Sequence, residues 1–471
     1  MRVLQDAVSG TSKQHVAFDY ARRIASGIHA ASSVFSDSLT SLLKLPPGSK
    51  QWSICLRLNE TVCPLTQSPA YDQVTVALWN QLGQAREELV TLPVHSATAT
   101  VADASGKAIA SQVVPSGETV SNYQRDTQEA AFVLSFLATL PPASVTTFTI
   151  SQGHTTKLTS PSAAAPSASI VLPAASALRP ALGAAIALEN DFLSLNFSAA
   201  TGRLASMSNK QSGTSITVSQ DFCYYVGNIG DKSSGQKSGA YIFRPIDQPS
   251  DRGVCHPIGQ PKISATLVQG GVVSEVRQVF GGWLTQVVRL AKGARHAEFE
   301  WTVGAVPLDN PAANHTLEQC VSWRQTAGCS ADGKRQPSRD LNCTTPVSPA
   351  FSGYCECFDG RRAQKSGCGH IPFTCAQACQ FDEGKEVVTR FSTSIASNAT
   401  LFTDSNGREM QRRVRDYRPT WNLTQTEKVA GNYYPVNAAA AIRDDAAQLT
   451  LLVDRSQGAG SIRDGEVSGL R

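Results

Sequence analysis

Eight of the chain's 12 cysteines crowd into residues 320–379, its densest set of nucleophilic and metal-ligating side chains. Two chemistries suit such a cluster: thiolate coordination of zinc, or disulfide formation in an oxidising compartment. No Cys-x-x-Cys pair occurs, only Cys355-x-Cys357 and Cys375-x3-Cys379, so the spacing favours disulfides over zinc. The segment holds few large apolar residues, and a small module without a core needs such staples. Eight cysteines allow about a hundred pairings, and spacing selects none of them. Cys55 and Cys63 bracket Asn59-Glu60-Thr61 closely enough to close another disulfide.

Two other patterns carry no chemistry. Residues 230–238, Gly-Asp-Lys-Ser-Ser-Gly-Gln-Lys-Ser, imitate a phosphate-binding loop, but Gln236 separates the last glycine from Lys237, and no buried strand precedes the segment. His296-Ala297-Glu298 lacks the Pro-Cys-x-x-Cys that completes a zinc deaminase site, and it falls in an alternating strand. Arg408, Arg412, Arg413, Arg415 and Arg418 read as a solvated strand face.

The composition excludes several classes. A 471-residue chain with 41% hydrophobic and 17% charged residues is an ordinary globular protein of several cores. A net charge of +4 without basic runs argues against nucleic acid as a partner. The longest apolar stretch, residues 169–188, is broken by Pro173, Arg179 and Pro180, so no membrane span is expected. Six N-x-[ST] sequons, at Asn59, Asn196, Asn314, Asn342, Asn398 and Asn422, exceed the about three expected by chance. Sequons and clustered cysteines together point to the secretory pathway. Asp6 and Lys13 stand where the apolar core of a signal peptide belongs, so no signal peptide is expected within this chain and the natural start is expected upstream.

Periodicity supplies the scaffold. Val16, Tyr20, Ile24 and Ile28 recur every four residues, predicting a helix from residue 12. A break near Ile28-His29 and a second helix over residues 34–43 are expected, ended by Pro46-Pro47-Gly48. Alternation at Val74, Val76 and Leu78, and at Phe132, Leu134 and Phe136, marks strands. Further alternation at Phe299, Trp301 and Val303, and at Leu449, Leu451 and Val453, marks the strands of a larger sandwich. The expected order is a helical segment at 1–48, a small antiparallel β-domain at 53–156, an Ala/Pro/Ser linker at 157–187 and a large β-sandwich at 188–471. A disulfide-rich module is inserted at 310–381. The fold class is mainly β.

The opening run, Val3-Leu4-Gln5-Asp6-Ala7-Val8-Ser9-Gly10-Thr11-Ser12-Lys13-Gln14-His15-Val16-Ala17, resembles the end of the catalytic domain of lysosomal-type α-mannosidases, glycoside hydrolase family 38. The likeness continues through Ser238-Gly239-Ala240-Tyr241-Ile242-Phe243-Arg244-Pro245, Phe402-Thr403-Asp404-Ser405-Asn406-Gly407-Arg408-Glu409 and Tyr417-Arg418-Pro419-Thr420-Trp421. Gly431-Asn432-Tyr433-Tyr434-Pro435-Val436-Asn437 and Asp454-Arg455-Ser456-Gln457-Gly458 complete the series, and only the cysteine-rich insert departs from it.

The resemblance implies a helical bundle followed by a galactose-mutarotase-like β-sandwich. It also implies retaining, exo-acting hydrolysis of terminal α-mannosides of N-glycans in a lysosome or vacuole. In the family a zinc ion held by two His and two Asp grips the sugar, and an Asp is the nucleophile. A His-His pair stands before the Asp that matches Asp6, whereas Gln5 stands here, and none of the eight histidines belongs to a His-x-Asp. No catalytic residue and no zinc ligand is therefore expected in this chain, which is expected to be inactive alone. By the same resemblance Asp6 and Tyr241 contact mannose hydroxyls, and a Cys-x7-Cys stretch with an internal sequon supports the Cys55–Cys63 pairing. The implied partners are mannose-containing oligosaccharides and the catalytic domain of the same polypeptide. The competing reading is a non-catalytic secretory glycan-binding or interaction protein.

Overall fold

The computed structural model describes residues 14–46, 52–58, 61–117, 129–152, 185–228, 238, 242–246, 253–304, 306, 342–344, 355–359, 362–366 and 385–470. The chain is mainly β and divides into two compact units. One holds residues 30–225, 255–306 and 386–471; the other gathers residues 1–29, 226–254 and 307–385.

The helix runs unbroken from Gln14 to Leu42, so the break expected near Ile28-His29 does not occur. Gly27 is the weak point there, but one interior glycine costs only about 1 kcal/mol, and the i→i−4 ladder continues through it. Asp19 adds exposed pairs with Arg22 and Arg23, both at 2.6 Å. The helix stops because Lys44 takes a left-handed backbone (φ 53°) two residues before Pro46. Its last turns bury Ser36 and Leu39, and Ser36 Oγ accepts the Trp52 N–H at 2.9 Å.

Two small sheets follow. One has the order Gln73–Asn80, Ser144–Ser151, Thr100–Asp103, Ala108–Ile109; the other has the order Arg86–Val94, Phe132–Leu140, Ser111–Pro115. Their alternating apolar residues meet face to face, with Leu134, Phe136 and Ile150 fully enclosed and the Phe136 and Phe148 rings 5.1 Å apart.

The larger sandwich is led by a nine-stranded sheet. Its path is Tyr433–Val436, Gln457–Gly460, Glu466–Leu470, Lys385–Thr393, Thr214–Val226, Leu204–Asn209, Leu193–Phe197 and Ile186–Glu189, and His256–Pro257 pairs beside Thr214–Val226. Two four-stranded sheets complete it. One runs Ser264–Val268, Val273–Gly281, Leu284–Ala291, Glu298–Val303; the other runs Glu409–Val414, Thr400–Ser405, Ala439–Arg443, Gln448–Leu452. Leu195, Phe197, Val288, Leu401 and Ile442 form the shared core, with Phe299, Leu451 and Val453 packed at its margin. Trp301 and Val303 pack instead on a second cluster around Phe222 and Phe280.

A side chain joins small and large sheets. Gln112 is buried; its amide donates to Val273 O at 2.9 Å and accepts the N–H groups of Val272 and Val273. A Cβ on Gly270 would lie 1.7 Å from Gln112 Oε1, so only glycine admits this insertion.

In the other unit, Asn342–Thr344, Cys355–Asp359 and Arg362–Ser366 form a three-stranded antiparallel sheet within the cysteine-rich insert.

Candidate functional site

Asp6 and Tyr241, the residues expected to meet substrate, lie outside the described residues, as do Asn59, Asn314 and the phosphate-loop imitation at 230–237. The backbone on either side of Tyr241 is described and is well tied. Asn228 N–H donates to Arg244 O and Ile246 N–H donates to Val226 O, both at 2.8 Å, around the Gly227–Pro245 bridge. Ser238 N–H donates to Asn228 O at 2.8 Å, its hydroxyl donates to Ile242 O at 3.1 Å, and the hydroxyl accepts Arg244 N–H at 3.3 Å.

A disulfide between Cys223 and Cys255, with Cα atoms 5.4 Å apart, spans the same stretch of sequence. Sequence reasoning missed it, because nothing in the spacing links cysteines 32 residues apart. The neighbouring Tyr224 and His256 pair across an antiparallel ladder with their rings stacked 5.2 Å apart, a contact that only the structure reveals. Cys55 and Cys63 are also bonded, with Cα atoms 5.1 Å apart beside the Arg57–Val62 bridge.

Ionisable groups gather in three places. The first is a buried row on the nine-stranded sheet. Glu466 reaches Arg390 at 3.4 Å, and Tyr433 Oη lies 3.1 Å from Ser468 Oγ. Burial raises the Glu466 carboxyl above its ordinary value, partly offset by Arg390. Burial likewise raises Tyr225 and, further, Tyr433. Asp221 is raised by burial despite its close ion pair with Arg203. The Glu466 side chain is only 3% exposed, and its pairing with Arg390 ties neighbouring strands together.

The second is a charged seam beside an open cleft lined by Thr61, Thr91, Pro93, Glu129, Arg277 and Thr302. Buried Glu275 accepts from Arg277 at 3.0 Å and from Arg289 at 2.9 Å, while Arg289 also pairs closely with Glu300. Burial opposes the Arg289 charge, yet Glu275 and Glu300 together hold it above its ordinary value. Arg277 donates onward to Pro115 O at 2.8 Å, so the seam also joins small and large sheets.

The third is Asp404. Its carboxylate accepts the N–H groups of Asn437, Ala438 and Ala439 at 2.8–3.0 Å and of Gly407 at 2.7 Å. These bonds, led by Ala438 and Ala439, hold it well below the usual carboxylate range. Its work is to lock two loops.

The arginines expected on a solvated face are in part committed. Arg413 and Arg418 stack on the Tyr434 ring, 5.0 and 5.1 Å from its centroid, and Arg418 donates to Tyr434 Oη at 2.8 Å and Gly431 O at 2.6 Å. The alternating register carries Arg413 to the side that Tyr434 occupies, which a one-dimensional pattern does not reveal. His296 and Glu298 are exposed, with 3.8 Å between Nε2 and Oε1. Among sequons in described segments, Asn398 and Asn422 are exposed, whereas Asn196 is half-buried mid-sheet and its Nδ2 donates to Ser206 Oγ at 3.1 Å. Asn342 begins a strand of the insert.

Among the described residues no group of three or more His, Cys, Asp or Glu side chains is arranged to hold a metal ion. No helix among them is long and apolar enough to cross a membrane.

The β-sandwich carries sugar-enzyme ancestry in its sequence. It matches the glycosyl hydrolases family 38 C-terminal domain over residues 188–320 and 366–468, half of the chain, with the interruption inside the cysteine-rich insert. The chain belongs to glycoside hydrolase family 38. Lysosomal alpha-mannosidase of Homo sapiens is 35% identical over 472 residues, covering 99% of this chain and 37% of that protein. Alpha-mannosidase of Canavalia ensiformis is 31% identical over 485 residues, covering 98% and 40%. Lysosomal alpha-mannosidase of Dictyostelium discoideum is 29% identical over 475 residues, covering 98% and 38%. The chain thus spans well under half the length of the curated relatives it matches.

Proposed function

We propose that these 471 residues are the helical and β-sandwich part of a secretory, lysosomal or vacuolar α-mannosidase that removes terminal α-mannosides from N-glycans with retention. The observation that carries the reading is the alignment of 99% of the chain with a lysosomal α-mannosidase, including the family domain on both sides of the insert. In this reading the nucleophile and zinc ligands lie elsewhere in the polypeptide. Asp6 and Tyr241 add hydrogen bonds to mannose hydroxyls, a task suited to a carboxylate acceptor and a phenol. The partners are mannose-containing oligosaccharides and the catalytic domain of the same chain.

The test is hydrolysis of p-nitrophenyl α-mannoside by the polypeptide of the complete reading frame, with and without a chelator. Zinc-dependent release is expected there, and none from residues 1–471 alone. Activity of the isolated chain, or none from the complete polypeptide, overturns the reading. In the second case the sandwich is a glycan-binding or interaction module.

A further inference from the structure

Two polar sheet faces meet at the cleft beside the charged seam. On the four-stranded sheet Glu275 stands opposite Arg289, and Arg277 opposite Val287. Val287 also stands opposite Glu300, and Thr285 opposite Thr302. Directly opposed residues share one face of a sheet, so these side chains lie on the side turned away from the core residues Val276 and Val288. On the small sheet Pro93 stands opposite Val133, with Thr91 two residues along the same face, while Leu92 and Leu134 fill the core behind. Gln112 and Arg277 bridge the two faces by their bonds to Val273 O and Pro115 O. The open cleft lies between the faces and is lined from both.

A half-enclosed polar wall needs partners for its donors and acceptors. Several groups here have none within the protein. Among the described residues, the hydroxyls of Thr91, Thr285 and Thr302 make no hydrogen bond. Arg289 commits Nε to Glu275 and Nη1 to Glu300, which leaves its Nη2 donors unused. The Glu300 side chain is 49% exposed, and its carboxylate keeps lone pairs for a further donor.

Walls that offer both donors and acceptors match a ligand whose own groups do both, and the hydroxyl is such a group. Pro93, Val133 and Val287 add apolar contact for the C–H face of a sugar ring. Glu129, Glu275 and Glu300 outnumber Arg277 and Arg289, so a phosphorylated or sulfated sugar meets net repulsion.

We propose that this cleft binds a neutral pyranose, supplied as a terminal mannose of an oligosaccharide. That the sugar is mannose rests on the function proposed above; that it is a neutral pyranose rests on the cleft alone. Leu58 and Thr61 also line the cleft, so an N-glycan at Asn59 is the other source of such a sugar.

The experiment is photoaffinity labelling of the complete polypeptide with an α-mannobiose that carries a diazirine, followed by peptide mapping. Peptides holding residues 91–93 and 300–302 should take the label. Excess methyl α-mannoside should suppress it, and mannose 6-phosphate should not. T285V/T302V keeps the branched shape and removes two hydroxyls, so binding should weaken about tenfold. Hydrolysis of p-nitrophenyl α-mannoside should be unchanged in that variant, and T285S/T302S should recover the label. Should T285V/T302V not be secreted, T302V and the wild-type map decide. Unlabelled cleft peptides overturn the proposal, as does label that survives both competitor and variant, which marks an adventitious additive only. Equal competition by mannose 6-phosphate overturns the neutral class. If N59Q takes the label and wild type does not, the occupant is the chain's own glycan and the assignment to an oligosaccharide fails. Hydrolysis without label sinks the cleft alone; label without hydrolysis leaves the cleft standing and sinks the catalytic reading.

Discussion

Replacing Glu275 with Gln should destabilise the sandwich far more than any surface carboxylate would. Glu275 lies on Val273–Gly281 directly across from Arg289 on Leu284–Ala291, with Arg277 two residues along its own strand. Its side chain is 7% exposed, and those of Arg277 and Arg289 are 19% and 20% exposed. Gln keeps the volume and removes the charge, leaving two guanidinium groups facing one another. Each charge-assisted contact contributes about 1.5–3 kcal/mol. The sum must be discounted, because Arg289 keeps Glu300 and Arg277 keeps Pro115 O. That leaves about 3 kcal/mol, at the low end for breaking a buried ion pair. The melting temperature should fall by roughly 6–12 °C. Chemical denaturation of wild type, E275Q, R289Q and the double variant isolates the coupling between the two groups. A cost below about 1 kcal/mol refutes the reasoning, as does a cost that vanishes in about 0.5 M salt, the behaviour of a screened surface pair.

Other outcomes follow from the same structure. Glu466 is raised in the folded state, so it subtracts stability once pH exceeds its ordinary value of 4.5, and the subtraction grows up to the raised value. Wild type should gain stability on acidification through that window, and E466Q should flatten the gain; melting curves from about pH 4 to 8 check this. Loss of the Cys223–Cys255 bond, with its 32-residue separation, should cost about 3–4 kcal/mol in the chain-entropy account, against about 2.5 for Cys55–Cys63. Denaturation of the paired Cys→Ala variants reads the order, and equal or reversed costs contradict it. Asn398 and Asn422, exposed in turns and irregular backbone, should carry glycan at higher occupancy than Asn196, whose amide is committed to Ser206. Enzymatic deglycosylation in heavy-oxygen water, followed by peptide masses, measures each site.

The elements most legible in the sequence were those whose pattern is local. Alternation located Gln73–Asn80, Phe132–Leu140, Glu298–Val303 and Gln448–Leu452, because a half-buried strand must write its two faces into successive residues. The helix was legible too, but its continuity through Gly27-Ile28-His29 was not. A single weak residue breaks a helix only when the backbone gains another partner, and that is a property of the surroundings.

By itself the sequence determined the β class and the family, since each is a matter of residue type and order. Tertiary structure alone decided which distant groups meet: Cys223 with Cys255, Glu275 with Arg289, Asp404 with the backbone of residues 437–439, and Arg418 with Tyr434. Such pairs depend on strand order and register across residues far apart in the chain. A one-residue slip exchanges the two faces of a strand, so no reading along a single strand can supply them.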